Sequence, residues 1–258
     1  ESRAPAPGRA AMSLEGQELR GRWQRMVADY RALREAERRD LAGVTLPERI
    51  EIVEALQDFM EEVERMAGSS AASPFREMMR RLHHILEANR IPYVIIGGLA
   101  AALWGIARTT VDVDVVLVLS SDQTSFLLDR LREAGFRASA EAFLRLREGR
   151  PVKIFFTRRF SVDLRQASFR LDREAIRRAR EVELFGLTLR LATPEDLIVY
   201  KLARWEPIDE QDVRAVLESQ RGSLDWTYIE AAVHDLAQEA ELPELPVRWS
   251  RLKEEIDG

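Results

Sequence analysis

Short apolar strands alternating with helices and followed by a helical tail predict an α+β fold, α/β-like in its middle, around a small mixed β-sheet. Three observations carry this. The run Tyr93 to Leu117 (YVIIGGLAAALWGIARTTVDVDVVL) passes from an apolar strand through Gly97-Gly98 into an alanine-rich helix, then into a strand bearing Asp112 and Asp114. Pro151 to Thr157 (PVKIFFT) and Phe160 to Leu164 (FSVDL) have strand composition, and Val182 to Phe185 with Leu187 to Leu191 reads as a hairpin turning at Gly186. From Thr193 onward the apolar residues recur at helical spacing.

In chain order, Glu1 to Gly8 is rich in Pro and Ala and reads as a disordered tail or an expression remnant, with Met12 a candidate native start. Leu14 to Ala67 has helical character: Leu19, Trp23, Met26, Val27, Tyr30 and Leu33 recur mostly three and four apart. A second helix opens at Thr45-Leu46-Pro47-Glu48, with Thr45 suited to cap it and Pro47 and Glu48 suited to its first turn. It continues through Ile50, Ile52, Val53, Leu56, Phe59, Met60 and Val63. Gly68 to Ser73 reads as a linker. Pro74 to Ala88 forms the next helix, with Met78, Met79, Leu82 and Leu86 as its apolar stripe. Its adjacent His83 and His84 point about 100° apart, which suits a helix surface rather than a shared metal.

Asp122 to Glu133 is helical. Thr193-Pro194-Glu195-Asp196 combines an N-cap, a proline at the first helical position and two first-turn acids, and further helices start from Asp209, Asp225 and Val247. The expected organisation is an N-terminal helical segment over 1–72, a strand-and-helix core over 73–192 and a helical region over 193–258.

The 258 residues are 46% apolar, enough for a sizeable core. A net charge of −5 with both signs interspersed gives no broad electrostatic case for tight nonspecific nucleic-acid binding, and no DNA partner is expected. The pairs Arg158-Arg159 and Arg177-Arg178 are candidate local basic patches, each read first as a solvated helix or loop face. Without cysteine there is no disulfide, thiol nucleophile or Cys-based zinc site, which points to a reducing cytoplasm. The most apolar run, Ile91 to Ala107, is interrupted by Pro92 and the glycine pair, and reads as strand, turn and helix rather than a membrane span.

Two strand residues two apart face the same way, so Asp112 and Asp114 have α-carbons roughly 6.5 Å apart and can converge on one cation. Val111, Val113 and Val115 fill the opposite face, while Val116 and Val118 follow the aspartates and Leu117 and Leu119 the valines, the pattern of a strand buried on both sides. Two like charges about 4 Å apart cost about 4 kcal/mol at an effective dielectric of 20, and a divalent cation removes that repulsion. The Gly97-Gly98 turn leaves the first N–H groups of the following helix aimed outward, where donors and dipole favour phosphate. No Gly-Lys-Ser or Gly-Lys-Thr follows, so the phosphates rely on metal rather than a P-loop lysine. Asp163 supplies a third acid within Phe160 to Leu164; its competing role is a salt bridge with Arg165.

With all three acids the sequence resembles the nucleotidyltransferases of the DNA polymerase beta superfamily, in particular AbiEii-like toxins and minimal nucleotidyltransferases. Ile96-Gly97-Gly98, the spacer Leu99 to Val111 and Asp112-Val113-Asp114 match the first motif, with Gly105…Arg108-Thr109-Thr110 leading into it. Asp163 matches the third carboxylate, Thr193-Pro194-Glu195-Asp196-Leu197…Lys201 resembles the lysine-bearing helix, and Asp212-Val213 resembles the closing acidic motif. Relatives place a basic residue just before the first acid of that closing motif, where this chain reads Pro207-Ile208-Asp209-Glu210-Gln211-Asp212.

The resemblance implies transfer of a nucleoside monophosphate from an NTP to an acceptor hydroxyl on RNA or protein, in the manner of the toxin of a toxin–antitoxin or phage-defence pair. A silent binding or antitoxin module on the same fold is the alternative. It further implies Mg2+ or Mn2+ on Asp112, Asp114 and Asp163, with Gly97, Gly98, Arg108, Lys201 and Asp212 at the nucleotide, and a cognate antitoxin or toxin protein as partner. For Arg108, service at a helix end is the competing role.

Overall fold

The computed structural model describes residues 45–66, 74–105 and 108–257; the helical pattern around Leu19 to Leu33 and the Gly68 to Ser73 linker lie outside the described residues. Six strands, β1 (Tyr93–Ile96), β2 (Asp112–Leu117), β3 (Val152–Phe155), β4 (Ser161–Gln166), β5 (Arg180–Leu184) and β6 (Leu187–Leu191), form one mixed sheet in the order β3-β4-β2-β1-β6-β5. β2 runs antiparallel to β1 and parallel to β4, β1 runs parallel to β6, and antiparallel β3 and β5 close the two edges. The α+β reading is met in full.

β2 is an interior strand, and Val113, Val115 and Val116 are buried on its two faces. Val111 and Val118, expected to be buried with them, are 37% and 40% exposed because they lie just outside the strand, where the chain leaves the sheet. The β5–β6 hairpin turns through Phe185 (φ 58°) and Gly186 (φ 70°), so Phe185 belongs to the two-residue turn rather than to the strand. Two successive positive φ values match the turn whose twist suits a hairpin. Phe185 accepts that backbone because its ring packs edge-on against Phe75, with centroids 5.5 Å apart.

Among the described residues ten helices surround the sheet: α1 (Leu46–Met66), α2 (Pro74–Ala88), α3 (Gly97–Trp104), α4 (Ser121–Glu133), α5 (Ala142–Arg147), α6 (Arg170–Arg178), α7 (Pro194–Arg204), α8 (Pro207–Gln220), α9 (Trp226–Glu239) and α10 (Glu244–Asp257). The stripe Met78, Met79, Leu82 and Leu86 of α2 is buried. His84 is exposed, and His83 is hydrogen-bonded to the Tyr93 hydroxyl at 3.2 Å. The main core joins α2, α3 and α7 to α10 with one face of the sheet, while Val94, Val116, Ala175, Ile176 and Ala192 form a small cluster under α6 on the other face. None of the described helices is long and apolar enough to cross a membrane, and the Ile91 to Ala107 run divides into β1 and α3.

Helix α6 had no clear signal, since Leu171, Ala175 and Ile176 are its buried apolar anchors among many charges. Its start is held from within: the Asp172 carboxylate accepts from the backbone N–H groups of Ser168 and Phe169 at 2.8 and 2.9 Å. That placement corrects the reading of Arg177-Arg178 as one solvated face. Arg177 pairs with Glu174 on the surface, but Arg178 lies 3.6 Å from the Tyr228 ring centroid and pairs with Glu195. Helix α7 starts as expected, with the Thr193 hydroxyl accepting from Asp196 N–H at 3.2 Å and Pro194 at its first position.

Helix α1 packs on α3 and buries Val53, Arg49 and Gln57. The Arg49 guanidinium donates to the Gly105 carbonyl, and Gln57 Nε2 donates to the Thr110 carbonyl at 3.5 Å. Both acceptors lie in the connection between α3 and β2 that carries Arg108.

Candidate active site

The register of the sheet gathers the acids. Asp114 of β2 pairs with Asp163 of β4 and with Ile96 of β1, and Asp163 pairs with Lys153 of β3, so Lys153, Asp163, Asp114 and Ile96 form one row across four strands. Directly paired residues share a face and adjacent strands lie about 4.8 Å apart, so Asp163 and Asp114 are immediate neighbours. Asp112 sits two residues before Asp114 on the same face, beside Ser161. The three sequence-predicted carboxylates are therefore brought together from two strands.

Gly97 follows Ile96 directly and opens α3 with φ +69°. A Cβ added there would lie 1.8 Å from Asp114 Oδ2, so the backbone turns into the helix in contact with the carboxylate. At Gly98 an added Cβ would meet Thr110 Oγ1 at 3.1 Å and Arg108 Nη2 at 3.7 Å. Thr110 in turn donates to the Asp112 carbonyl at 2.8 Å, with Asp112 Oδ1 at 3.3 Å, which ties the loop to the first acid. No side chain caps the start of α3. The glycine pair thus lets the helix N-terminus approach the acids without an intervening side chain.

Burial is the largest influence on Asp114 and raises its carboxyl above the ordinary range; Asp112 and Asp163 push it further, while Arg204 and Lys201 pull the other way. The competing assignment of Asp163 to a salt bridge with Arg165 does not occur, because Arg165 is bound bidentately to Asp172. Asp163 instead accepts from Lys153 Nζ at 2.7 Å, and the same ammonium lies 3.7 Å from Asp112 Oδ2 and 3.4 Å from Ser161 Oγ. Burial disfavours the charge on Lys153, but the hydrogen bond and charge of Asp163, with Asp112 and Asp114, outweigh it and keep the amine protonated.

As the side chains stand, no three acids or histidines among the described residues converge on a single point as metal ligands. Here it is the Lys153 ammonium on which Asp112 and Asp163 converge. The donor set still fits a hard divalent cation. It offers only carboxylate oxygens, and three carboxylates against one ammonium leave a formal charge of −2 when all are ionised.

The other predicted residues, Arg108, Lys201 and Asp212, also meet, in a second cluster behind Asp114. Lys201 Nζ donates to Asp209 at 2.8 Å and Asp212 at 2.7 Å, Arg108 Nη2 donates to Asp212 at 2.9 Å, and Arg204 binds Asp209 through Nε and Nη2 at 2.8 and 2.7 Å. Arg108 therefore serves α8 and not the end of α3. Lys201 is 3% exposed with two of its three donors taken, so it acts on the acids chiefly through space. Asp209, fully buried, would be raised by burial, but Arg204 and Lys201 hold its carboxyl below the ordinary value. Counted without the exposed Glu206, which lies 3.9 Å from Arg204, three cations against two carboxylates leave this cluster a formal +1, and Arg108 Nε is buried without a hydrogen-bond partner.

Sequence reasoning missed Arg204, Lys153 and the cavity of about 420 Å³ that opens beside Gly97 and Asp114. That cavity is walled by Leu197, Tyr200 and Ala203 of α7, Phe169 and Leu171 at α6, and Leu236, Ala240 and Leu242. Besides Asp114, Lys201 and Arg204 its polar members are Arg165 and Tyr200, both bound to Asp172, with the Tyr200 hydroxyl donating at 2.8 Å. Lys153 carried one legible signal, a lysine inside PVKIFFT between the buried Val152 and Ile154.

The chain that gathers these acids on a mixed sheet beside a glycine turn falls, by its family match, in the nucleotidyltransferase class. Residues 74–256 match the family described as a nucleotidyltransferase of unknown function (DUF6036), and the chain belongs to it. The AbiEii-like subtype is not part of that match. None of the curated proteins matches the chain. Among solved structures it is similar to ANT(2″)-Ia in complex with adenylyl-2″-tobramycin, at 16% identity and a TM-score of 0.43 over 68% of this chain and 97% of that one. It is also similar to the lincosamide antibiotic adenylyltransferase LnuA, at 10% identity and 0.40 over 55% and 96%. A nucleotidyltransferase-like protein from Paracoccidioides brasiliensis gives 17% and 0.42 over 69% and 92%.

Proposed function

We propose that this nucleotidyltransferase moves a nucleoside monophosphate from an NTP to an acceptor hydroxyl on RNA or protein, using Mg2+ or Mn2+ held by Asp112, Asp114 and Asp163. The observation that carries this is the in-register pairing of Asp114 with Asp163 beside Gly97. The acceptor oxygen forms a bond to the α-phosphorus, the bond to the bridging oxygen breaks, and pyrophosphate leaves. Asp163 takes the acceptor's proton. A bound cation supplies charge neutralisation at the triphosphate and at the developing alkoxide. The start of α3, with Gly97 and Gly98, offers its N–H groups to the phosphates. The orphaned Arg108 Nε and the positive excess around Lys201 favour the same anion. The cavity beside Asp114 takes the nucleobase on its apolar wall.

The acceptor class and a role as toxin with a cognate antitoxin rest on the motif resemblance. The alternative, a silent binding or antitoxin module, draws on Lys153 closing the space between Asp112 and Asp163. Incubating the protein with each α-labelled NTP and Mg2+, first with total RNA and then with lysate, separates the two. The proposal expects label on RNA or polypeptide that disappears in Asp112→Asn and Asp163→Asn. Titratable NTP binding with no label transferred to any acceptor would leave the silent module standing.

A further inference from the structure

Lys153 is a lysine on an edge strand pointing into the acidic row, and nothing in the proposed chemistry yet uses it. Its position is built. Val152 and Ile154 bury their side chains on the opposite face, and the β3–β4 register sets Lys153 beside Asp163. The ammonium is 2.7 Å from Asp163 and 3.7 Å from Asp112. Asp114, on the other side of Asp163, has no such partner and is the acid that Arg204 and Lys201 act on from a distance.

We propose that the Lys153 ammonium permanently fills the cation position between Asp163 and Asp112, so that the protein works with a single divalent ion, held at Asp112 and Asp114 rather than by all three acids. The inference rests on the nucleotidyl-transfer reading above. Asp163 then meets a tethered charge that is present before any nucleotide arrives, and a second divalent ion is excluded by like-charge repulsion at the shared carboxylates. A fixed ammonium also asks for no ordering of a free ion, at the cost of a single positive charge where a metal would give two. Of the three carboxylates' charge, Lys153 neutralises one unit and a single divalent ion the remaining two.

Counting bound metal tests this. Manganese is titrated into the full chain with each of the four α,β-methylene NTP analogues, and the ion remaining free is measured by its paramagnetic resonance signal. With the analogue that binds, the expected count is one Mn2+ per chain for the parent, two for Lys153→Met, and one for Lys153→Arg, which keeps the charge. Lys153→Gln repeats the Met result with a polar replacement, and circular dichroism confirms that each variant is folded. Two ions in the parent, or one in parent and neutral variants alike, would overturn the inference while leaving nucleotidyl transfer intact. No bound manganese with any analogue would sink both.

Discussion

Replacing Gly97 by alanine sets a methyl 1.8 Å from Asp114 Oδ2 and 2.6 Å from its Cγ, on backbone with φ +69°. Two costs follow and can be separated. Left-handed backbone costs a non-glycine residue about 1–2 kcal/mol wherever it occurs. Turning the Asp114 side chain out of the way costs about 0.5–1.5 kcal/mol more if it must leave its rotamer. For a chain of this size each kcal/mol lowers the melting temperature by about 2–4 °C, so Gly97→Ala should lose roughly 3–14 °C. The assay is thermal unfolding of the four members of a double-mutant cycle with Asp114→Ala, without metal. In the Asp114→Ala background the carboxyl oxygen and Cγ are gone and only the Cβ, 3.0 Å away, remains. Gly97→Ala should then cost only the backbone share, and the coupling between the two sites should be about 1 kcal/mol. Equal losses in both backgrounds would refute the contact between turn and carboxylate.

Asp114→Asn removes a buried charge crowded by two others, so the metal-free protein should melt about 2–4 °C higher while metal binding is lost. Because the folded pKa of Asp114 is raised above 3.8, its favourable contribution is complete below that value and is lost as pH rises through the folded pKa; the variant's advantage must open in that direction. Melting curves from pH 4 to 8 that show a constant gap contradict it. Asp209→Ala should cost about 3–5 kcal/mol in denaturant unfolding, because it removes both short bonds of Arg204 and leaves the buried Lys201 with Asp212 alone, whereas Lys201→Met should cost clearly less, since Asp209 keeps Arg204 and Asp212 keeps Arg108. Asp209 is held low, so its contribution is present above pH 3.8 and disappears below it, and acid unfolding of Asp209→Asn should lose that component. Arg49→Met frees the Gly105 carbonyl, and limited proteolysis should then cut within 105–110 faster than in the parent.

Much of the site was readable because strand geometry is strictly periodic. Asp112 and Asp114 had to share a face, and the glycine turn had to lead a helix past them. That Asp163 pairs with Asp114 followed from the motif resemblance rather than from periodicity, since register between distant strands is a tertiary property. Lys153 was lost for the same reason: its meaning lies in the β3–β4 register, not in its own segment. The second cluster was half visible. Lys201 and Asp212 were singled out, but Arg204 and the deep burial of Asp209 depend on how α7 meets α8. Helix α6 hid because its start is secured by Asp172 binding backbone behind it, while its many charges dilute the helical period.

The anchoring of Gly105 and Thr110 by α1 bears on how the protein should be trimmed. The family match begins at residue 74, and cutting there would discard Arg49 and Gln57 together with the helix that holds them. Two carbonyls in the connection that leads to the first aspartate would lose these donors, and the apolar side of α3 under Val53 would face solvent. Inactivity of such a shortened protein would reflect a damaged scaffold, so the smallest piece worth expressing starts ahead of Thr45.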